Sequence, residues 1–342
     1  MRDAPILLIG GSGIVGRRTA RLLRDANPDA KLLIGGRNLS RAQQVAAEIG
    51  GADGVAVDLD ADDLGLGELG LGDHQPLGAV VIFLKDDRLA ALRFAQARGA
   101  PHIGISSGTF EIGPEVSAFI HNPGAAPVVL GSEWLAGAAV LATLHLARKF
   151  AHVTDIVIDA VLDEEDIGGP AADIDMRRLT EFAPAALTRR DGEFYWRSGD
   201  DARAVVHAVD GEAMEAFAYS PFDIAALAAV TDAPNIQLNV AVGKSSTRRR
   251  GEPMSTEIMI TLAGETAEGS VRRVRHALVH PQGQAPLTAL GVVMMLERLT
   301  ALDGEPATAA GLYFPEQLVD PAAYLRRLEA IGGSFTRMED GQ

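Results

Sequence analysis

Near the N-terminal end stands Ile6-Leu7-Leu8-Ile9-Gly10-Gly11-Ser12-Gly13-Ile14-Val15-Gly16-Arg17, and its reading decides the fold. A short apolar run stops at a glycine pair, and a helical pattern over Ile14–Asp25 begins at once. A buried strand feeding directly into a helix has this form. The Gly11-x-Gly13-x-x-Gly16 spacing gives each glycine a task. Gly11 allows a tight turn, Gly13 lets a pyrophosphate approach the backbone, and Gly16 lets the helix sit close on its strand. Phosphates then lie on amide donors at the positive end of the helix. Gly11, Ser12, Gly13, Ile14, Val15 and Gly16 are therefore expected to hold a dinucleotide; a purely structural glycine turn is the alternative.

Outward from this turn, further short apolar runs follow: Ala30–Gly36, Gly54–Asp58, Ala79–Leu84, Pro101–Ser106 and Ala126–Ser132. With Pro5–Gly11 they make six buried, parallel-type strands. Helical stretches at Leu39–Ile49, N-capped by Asn38, and at Arg88–Arg98 separate them, while Asp60–Gly72 reads as a short helix or irregular crossover. This is the α/β pattern of a Rossmann, doubly wound parallel sheet. The middle of the chain differs. Eight strand-like segments between Asp155 and Val279, with Asp191-Gly192 and Asp210-Gly211 at two of the joins, predict a second α+β domain with a mainly antiparallel sheet. Trp134–Phe150 and Asp173–Phe182 are its expected helices. After His280, Pro286 opens a helix to about Leu302, and Asp320-Pro321 starts a last one ending at Gly332-Gly333. The expected organisation is thus residues 1–133 and 285–342 as the dinucleotide-binding domain, and 134–284 as the substrate-binding and dimerisation domain.

Composition excludes several function classes. Of 342 residues, 31 are Lys or Arg and 46 are Asp or Glu, a formal net charge of −15. Nucleic acid and anionic membranes both reward clustered positive charge, so neither is an expected partner. The absence of cysteine removes disulfides, thiolate metal sites and Cys nucleophiles. Of eight histidines only His276 and His280 stand at HxxxH spacing, within a strand-like run that holds them about 13 Å apart, and there is no HExxH, so a metal site is not expected. With no apolar run near the roughly 20 residues of a membrane span and no signal-peptide pattern, the expectation is a cytoplasmic protein.

The cofactor and the chemistry are read at strand ends. An NAD site carries Asp or Glu after the second strand, to hold the ribose hydroxyls. Here the segment is Gly36-Arg37-Asn38-Leu39-Ser40-Arg41. Arg37, Asn38, Ser40 and Arg41 suit a 2′-phosphate, so NADP(H) is expected in preference to NAD(H). Asp58 is placed for the adenine region, or is simply a loop carboxylate. The fourth strand delivers Leu84 and Lys85, the fifth Ser106 and Ser107, and the sixth Glu133 and Trp134. Leu84 and Ser106 are expected along the cofactor, and Lys85, one of only four lysines, can give up a proton or orient a carbonyl or imine. Glu133 and His280 are the other candidate acid–base groups. Ser107, Trp134 and Arg249, the last within Arg248-Arg249-Arg250, are candidate substrate contacts. Solvated loops, capping carboxylates and a packed histidine are the competing readings. No tyrosine has Lys four residues later, so a Tyr-x-x-x-Lys reductase site is missing.

At this point the chain resembles the saccharopine dehydrogenase-like oxidoreductases. The likeness rests on Gly10–Arg17, Gly35-Gly36-Arg37-Asn38, the passage Ala95–Ile105, the closing Gly311-Leu312-Tyr313-Phe314-Pro315-Glu316-Gln317-Leu318 and the antiparallel middle domain. It implies hydride transfer between a nicotinamide and a C–N bond of an amino-acid-like small molecule. Where that family often has a Gly-x-Asp-Pro-Gly-like turn, this chain has Gly131-Ser132-Glu133-Trp134-Leu135-Ala136-Gly137. Two alternatives stay open: a carbonyl/alcohol dehydrogenase resembling homoserine dehydrogenase, and a non-enzymatic NADP-sensing regulator. A homodimer is expected, because the middle sheet has a second face to cover.

Overall fold

Six short parallel strands form the first half, as continuous apolar runs require when both faces of a sheet are covered. The computed structural model describes residues 4–67, 76–166, 168–178 and 185–338. The strands are β1 (Ile6–Ile9), β2 (Leu32–Gly36), β3 (Ala52–Ala56), β4 (Ala79–Ile82), β5 (His102–Gly104) and β6 (Pro127–Leu130). They lie in the order β6-β5-β4-β1-β2-β3, every pairing parallel. All four residues of β1 are at most 2% exposed, so the sheet is built outward from a dry central strand. On one face Leu7, Ile9, Val80, Ile82 and Phe94 share a buried cluster.

The helices between these strands are α1 (Ile14–Ala26), α2 (Leu39–Ile49), α3 (Ala90–Ala97) and α4 (Ile112–His121). Asn38 caps α2 as expected, its side chain accepting the Arg41 N–H at 3.0 Å. α4 was not expected, because Gly113-Pro114 reads as a break. Proline is tolerated in a first turn, where the N–H has no partner within the helix. Asp60–Gly67 forms turns, and 68–75, the rest of that expected crossover, lie outside the described residues.

The second half begins with a turn at Trp134–Gly137, then α5 (Ala138–Ala147), β7 (His152–Asp163) and α6 (Pro170–Arg177); part of the expected Asp173–Phe182 helix lies outside the described residues. β8 (Ala185–Arg190) and β9 (Glu193–Ser198) form a hairpin. Its corner residues Asp191 and Gly192, at φ 51° and 85°, take the left-handed conformations that a two-residue turn demands. β10 (Arg203–His207), β11 (Ala213–Ala218), α7 (Asp223–Thr231), β12 (Asn235–Gly243), α8 (Ser246–Arg249), β13 (Thr256–Glu265) and β14 (Val271–His280) follow. The sheet is mainly antiparallel, with β12 and β7 paired in parallel at its centre.

α5, α7 and α10 (Pro321–Ala330) cover one face of that sheet. The other face is partly covered by the chain itself. Val206, Ala208 and Ala216 of the β10–β11 hairpin pack on Val161, Ala241, Met259 and Ala277. Beside them the Arg197 guanidinium donates to Asn239 Oδ1 at 2.8 Å, and Asn239 Nδ2 donates to Asp159 at 2.9 Å. Asn239, a polar residue of that face, is thus engaged within the sheet.

The C-terminal segment departs from expectation. α9 (Ala285–Leu299) precedes β15 (Gly311–Tyr313), which adds a seventh parallel strand beside β6. After Val319 the chain leaves that sheet. Asp320 caps α10 through the Ala323 N–H, and β16 (Ser334–Arg337) pairs antiparallel with β14. The chain forms two compact units: residues 1–132, 169–175 and 289–319, and residues 133–168, 176–288 and 320–342. The expected grouping of 285–342 with the nucleotide domain is corrected for 320–342. A four-residue strand with a single aromatic, Phe335, carries too little pattern to be read. Among the described residues no helix is long and apolar enough to cross a membrane.

Candidate nucleotide-binding site

The glycine turn is shaped by contact. A Cβ on Gly16 would lie 2.5 Å from Gly10 O and 2.6 Å from Gly11 Cα, and one on Gly11 would lie 2.7 Å from Leu8 O. A Cβ on Gly13 would meet only Gly10 O, at 3.1 Å, so its outer side is open. Gly10, at φ 83°, makes the first reversal, a role that the motif alone does not show. No side chain caps α1 and its first turn holds no carboxylate, so its first amides stay available to an anion. Leu84 lies against Gly10, and Ile14 is 38% exposed at the helix start.

Beyond β2 the residues are exposed and cationic. Neither the Arg37 nor the Arg41 side chain has an ion pair among the described residues. Ser12, Asn38, Ser40 and Arg41 line an open depression of about 520 Å³; Arg17, paired with Glu48, completes it, and Arg37 stands outside. Asp58 is spent on its own loop, where its carboxylate accepts the Asp60 N–H at 2.9 Å. The loop-carboxylate reading accounts for it.

At the ends of β4 and β5 the structure brings Lys85, Ser106 and Ser107 together and adds residues the sequence did not announce. Lys85 Nζ donates to Ser107 Oγ at 3.2 Å and lies 3.6 Å from Glu111. The Ser107 hydroxyl in turn donates to Glu115, and its N–H to Ser132 Oγ at 2.9 Å. Ser106 Oγ donates to Asp175 at 2.5 Å, and Asp86 accepts the Ala91 N–H. Glu111, the residue that opens the unexpected α4, faces Lys85 directly, and Glu115 in the helix's first turn meets it through Ser107. The result is a lysine connected through one hydroxyl to a half-buried carboxyl, a path along which a proton can be held or moved.

The remaining candidates belong to the second unit. Glu133 and Trp134 are buried, at 2% and 6% exposed. The Trp134 N–H donates to Asp223 at 2.7 Å, and its ring meets Tyr219 edge to face. Leu135, Ala136 and Gly137 follow at φ 53°, 54° and 92°, three successive left-handed residues, two with side chains that disfavour it. His280 is 1% exposed. Its Nδ1 accepts the Gln282 N–H at 3.1 Å and its Nε2 is 3.2 Å from Ile331 O, so it fixes the turn after β14, as a packed histidine.

Arg249 forms a fork with Asp210, both contacts at 2.6 Å, so a substrate carboxylate would have to displace that partner. Arg248 is held at 2.6 Å by Asp163. Burial would raise the Asp163 pKa, but donors from Ser245, Glu165 and Arg248 outweigh it and hold the carboxyl below its usual range. The arginine run is thus an internally paired loop, as such runs most often are.

No protein-family model matches the chain, and no curated protein matches it in sequence. Among solved structures it is similar to saccharopine dehydrogenase (L-Glu forming) from Saccharomyces cerevisiae, at 13% identity and a TM-score of 0.66, over 98% of this chain and 100% of that one. A myo-inositol dehydrogenase from Corynebacterium glutamicum aligns at 13% identity with a TM-score of 0.45, over 99% and 100%. The first likeness establishes the fold, a parallel Rossmann sheet joined to a mainly antiparallel one.

Glu115 offers a test of the Lys85 cluster. Burial raises its pKa; the Ser107 hydrogen bond and Lys85 work against this, and Glu111 and Asp86 add to it. A raised carboxyl contributes stability that is full below its unfolded pKa and is lost as pH rises through the folded value. Glu115→Gln, neutral throughout, should therefore gain stability relative to the parent between about pH 4 and about pH 8. Urea unfolding at both ends measures this; a relative loss at the higher pH contradicts the burial argument.

Proposed function

We propose that the protein is an NADP(H)-preferring oxidoreductase that acts on a C–N bond of a small amino-acid-like substrate. The observation that carries the cofactor assignment is the glycine turn, closed at Gly11 and Gly16 by backbone contact and open at Gly13 beside uncapped helix amides. That is a cradle a side chain would fill. Gly11, Ser12, Gly13, Ile14, Val15 and Gly16 would hold the pyrophosphate, and Leu84 and Ser106 would border the rest of the cofactor. The bound nicotinamide supplies or accepts the hydride. The choice of C–N bond rests on the resemblance in sequence motifs and on the shared fold.

The preference for the 2′-phosphate rests on Arg37, Ser40 and Arg41. Two exposed guanidiniums at the end of β2, without ion-pair partners among the described residues, would gain a phosphate contact, whereas an NAD ribose would find no carboxylate in Gly36–Arg41. Lys85 is the group proposed to orient the reacting carbonyl or imine and to hold its proton, with Ser107 and Glu115 as its connection. Ser107 also remains a proposed substrate contact. A homodimer is supported by Phe194, Tyr195 and Trp196 on β9, 40–57% exposed on a strand that among the described residues pairs with β8 alone.

Three measurements test this reading. Arg37→Ala should weaken NADPH binding by about 1.5–3 kcal/mol and leave NADH nearly unchanged. Equal affinity of the parent protein for both nucleotides, at fixed ionic strength, ends the NADP assignment. Lys85→Met should lower turnover of keto acids with amines on the order of 100-fold while NADPH affinity holds. Tight NADPH binding without turnover in the parent would instead favour a nucleotide sensor. Light scattering at micromolar concentration should give twice the chain mass, and a single-chain mass removes the dimer.

A further inference from the structure

In the second unit, the sheet face under α5 and α10 ends in an open depression of about 360 Å³, within the size range of small-ligand sites. At its base His276 of β14 stacks on Phe335 of β16, with centroids 5.2 Å apart and planes at 26°. His145 of α5 meets the same ring edge-on at 6.2 Å. His276 is 9% exposed, and neither its Nδ1 nor that of His145 has a hydrogen-bond partner among the described residues.

The rim is positive. Lys149, Arg326 and Arg337 stand around it, exposed, and none has an ion-pair partner among the described residues. Glu329 is the one carboxylate lining it. This concentration stands out against a net charge of −15; in the same unit arginines 189, 190, 203, 248, 249 and 250 each face an acid, while Arg272, Arg273 and Arg275 of β14 are without an ion pair among the described residues. The two histidines register the same field. Burial chiefly, then the charges of Lys149 and Arg337, lowers His276 to about 4. Burial, Lys149 and Arg148 lower His145, against a small opposing effect of Asp320. Three uncompensated cations around one aromatic floor favour an anion with a flat or apolar body.

We propose that this depression binds a small metabolite bearing a multiply charged oxyanion, set among Lys149, Arg326 and Arg337 with its body on Phe335. Phosphate and carboxylate share this chemistry, and the test separates them. In the full-length protein, the histidine ring resonances are followed by NMR while inorganic pyrophosphate or, separately, citrate is added at ionic strength fixed with chloride. His145→Gln and His276→Gln supply the assignments. Saturable shifts of these two rings are expected with at least one probe; pyrophosphate alone would mark a phosphate ligand, citrate alone a carboxylate. Lys149→Gln with Arg337→Gln, both at exposed positions, should weaken that binding tenfold or more, with NADPH affinity unchanged. No saturable shift of either ring up to about 10 mM of both probes, or equal affinity in the double variant, overturns the proposal.

Discussion

The closeness of α1 to the turn after β1 is the contact on which the parallel-sheet half depends. With Gly16 pressed against Gly10 and Gly11 at distances no side chain permits, the helix begins immediately beyond the central strand. The sheet reverses direction there: β1 has β2 on one side and β4 on the other. Helix amides and the reversal point of the sheet are thereby held at the same place, the usual position of a ligand in an open α/β sheet. A larger residue at 16 would move the helix and separate the two.

The second half is organised by a different constraint, the satisfaction of buried carboxylates. Asp163 collects the Ser245 N–H and hydroxyl, the Glu165 N–H and Arg248; Glu257 collects the Ser246 N–H and hydroxyl and the Val209 N–H. Buried charges are tolerated only with such company. The demand consumes the loop Ser245–Arg249, which in sequence looks like a polar binding segment. A residue type suited to catalysis is no guide when the fold has already engaged every donor it owns.

Legibility followed periodicity and local chemistry. The continuous apolar runs and the glycine spacing made the parallel sheet readable, and Asn38 and Asp320 declared their helices by capping. α4 was hidden by Gly113-Pro114, and with it Glu111 and Glu115, the carboxylates that engage Lys85. α7 was hidden because Asp223–Thr231 is almost uniformly apolar and shows no polar face. That Lys85, Ser106 and Ser107 lie near one another was readable because strand ends in such sheets converge. The partners of His280 and Arg249, Ile331 and Asp210, were not readable, since they are distant in sequence.

The alternation of the chain between its two units has a consequence for synthesis on the ribosome. β6 waits for β15, and β14 waits for β16, so each sheet keeps an open edge until late in translation. At about 5–20 residues per second, the interval between β6 and β15 is roughly 10–40 s. During that time the exposed backbone of β6 is a ready partner for any other extended segment. Vectorial order completes neither sheet early: the first closes with residues 311–313 and the second with 334–337.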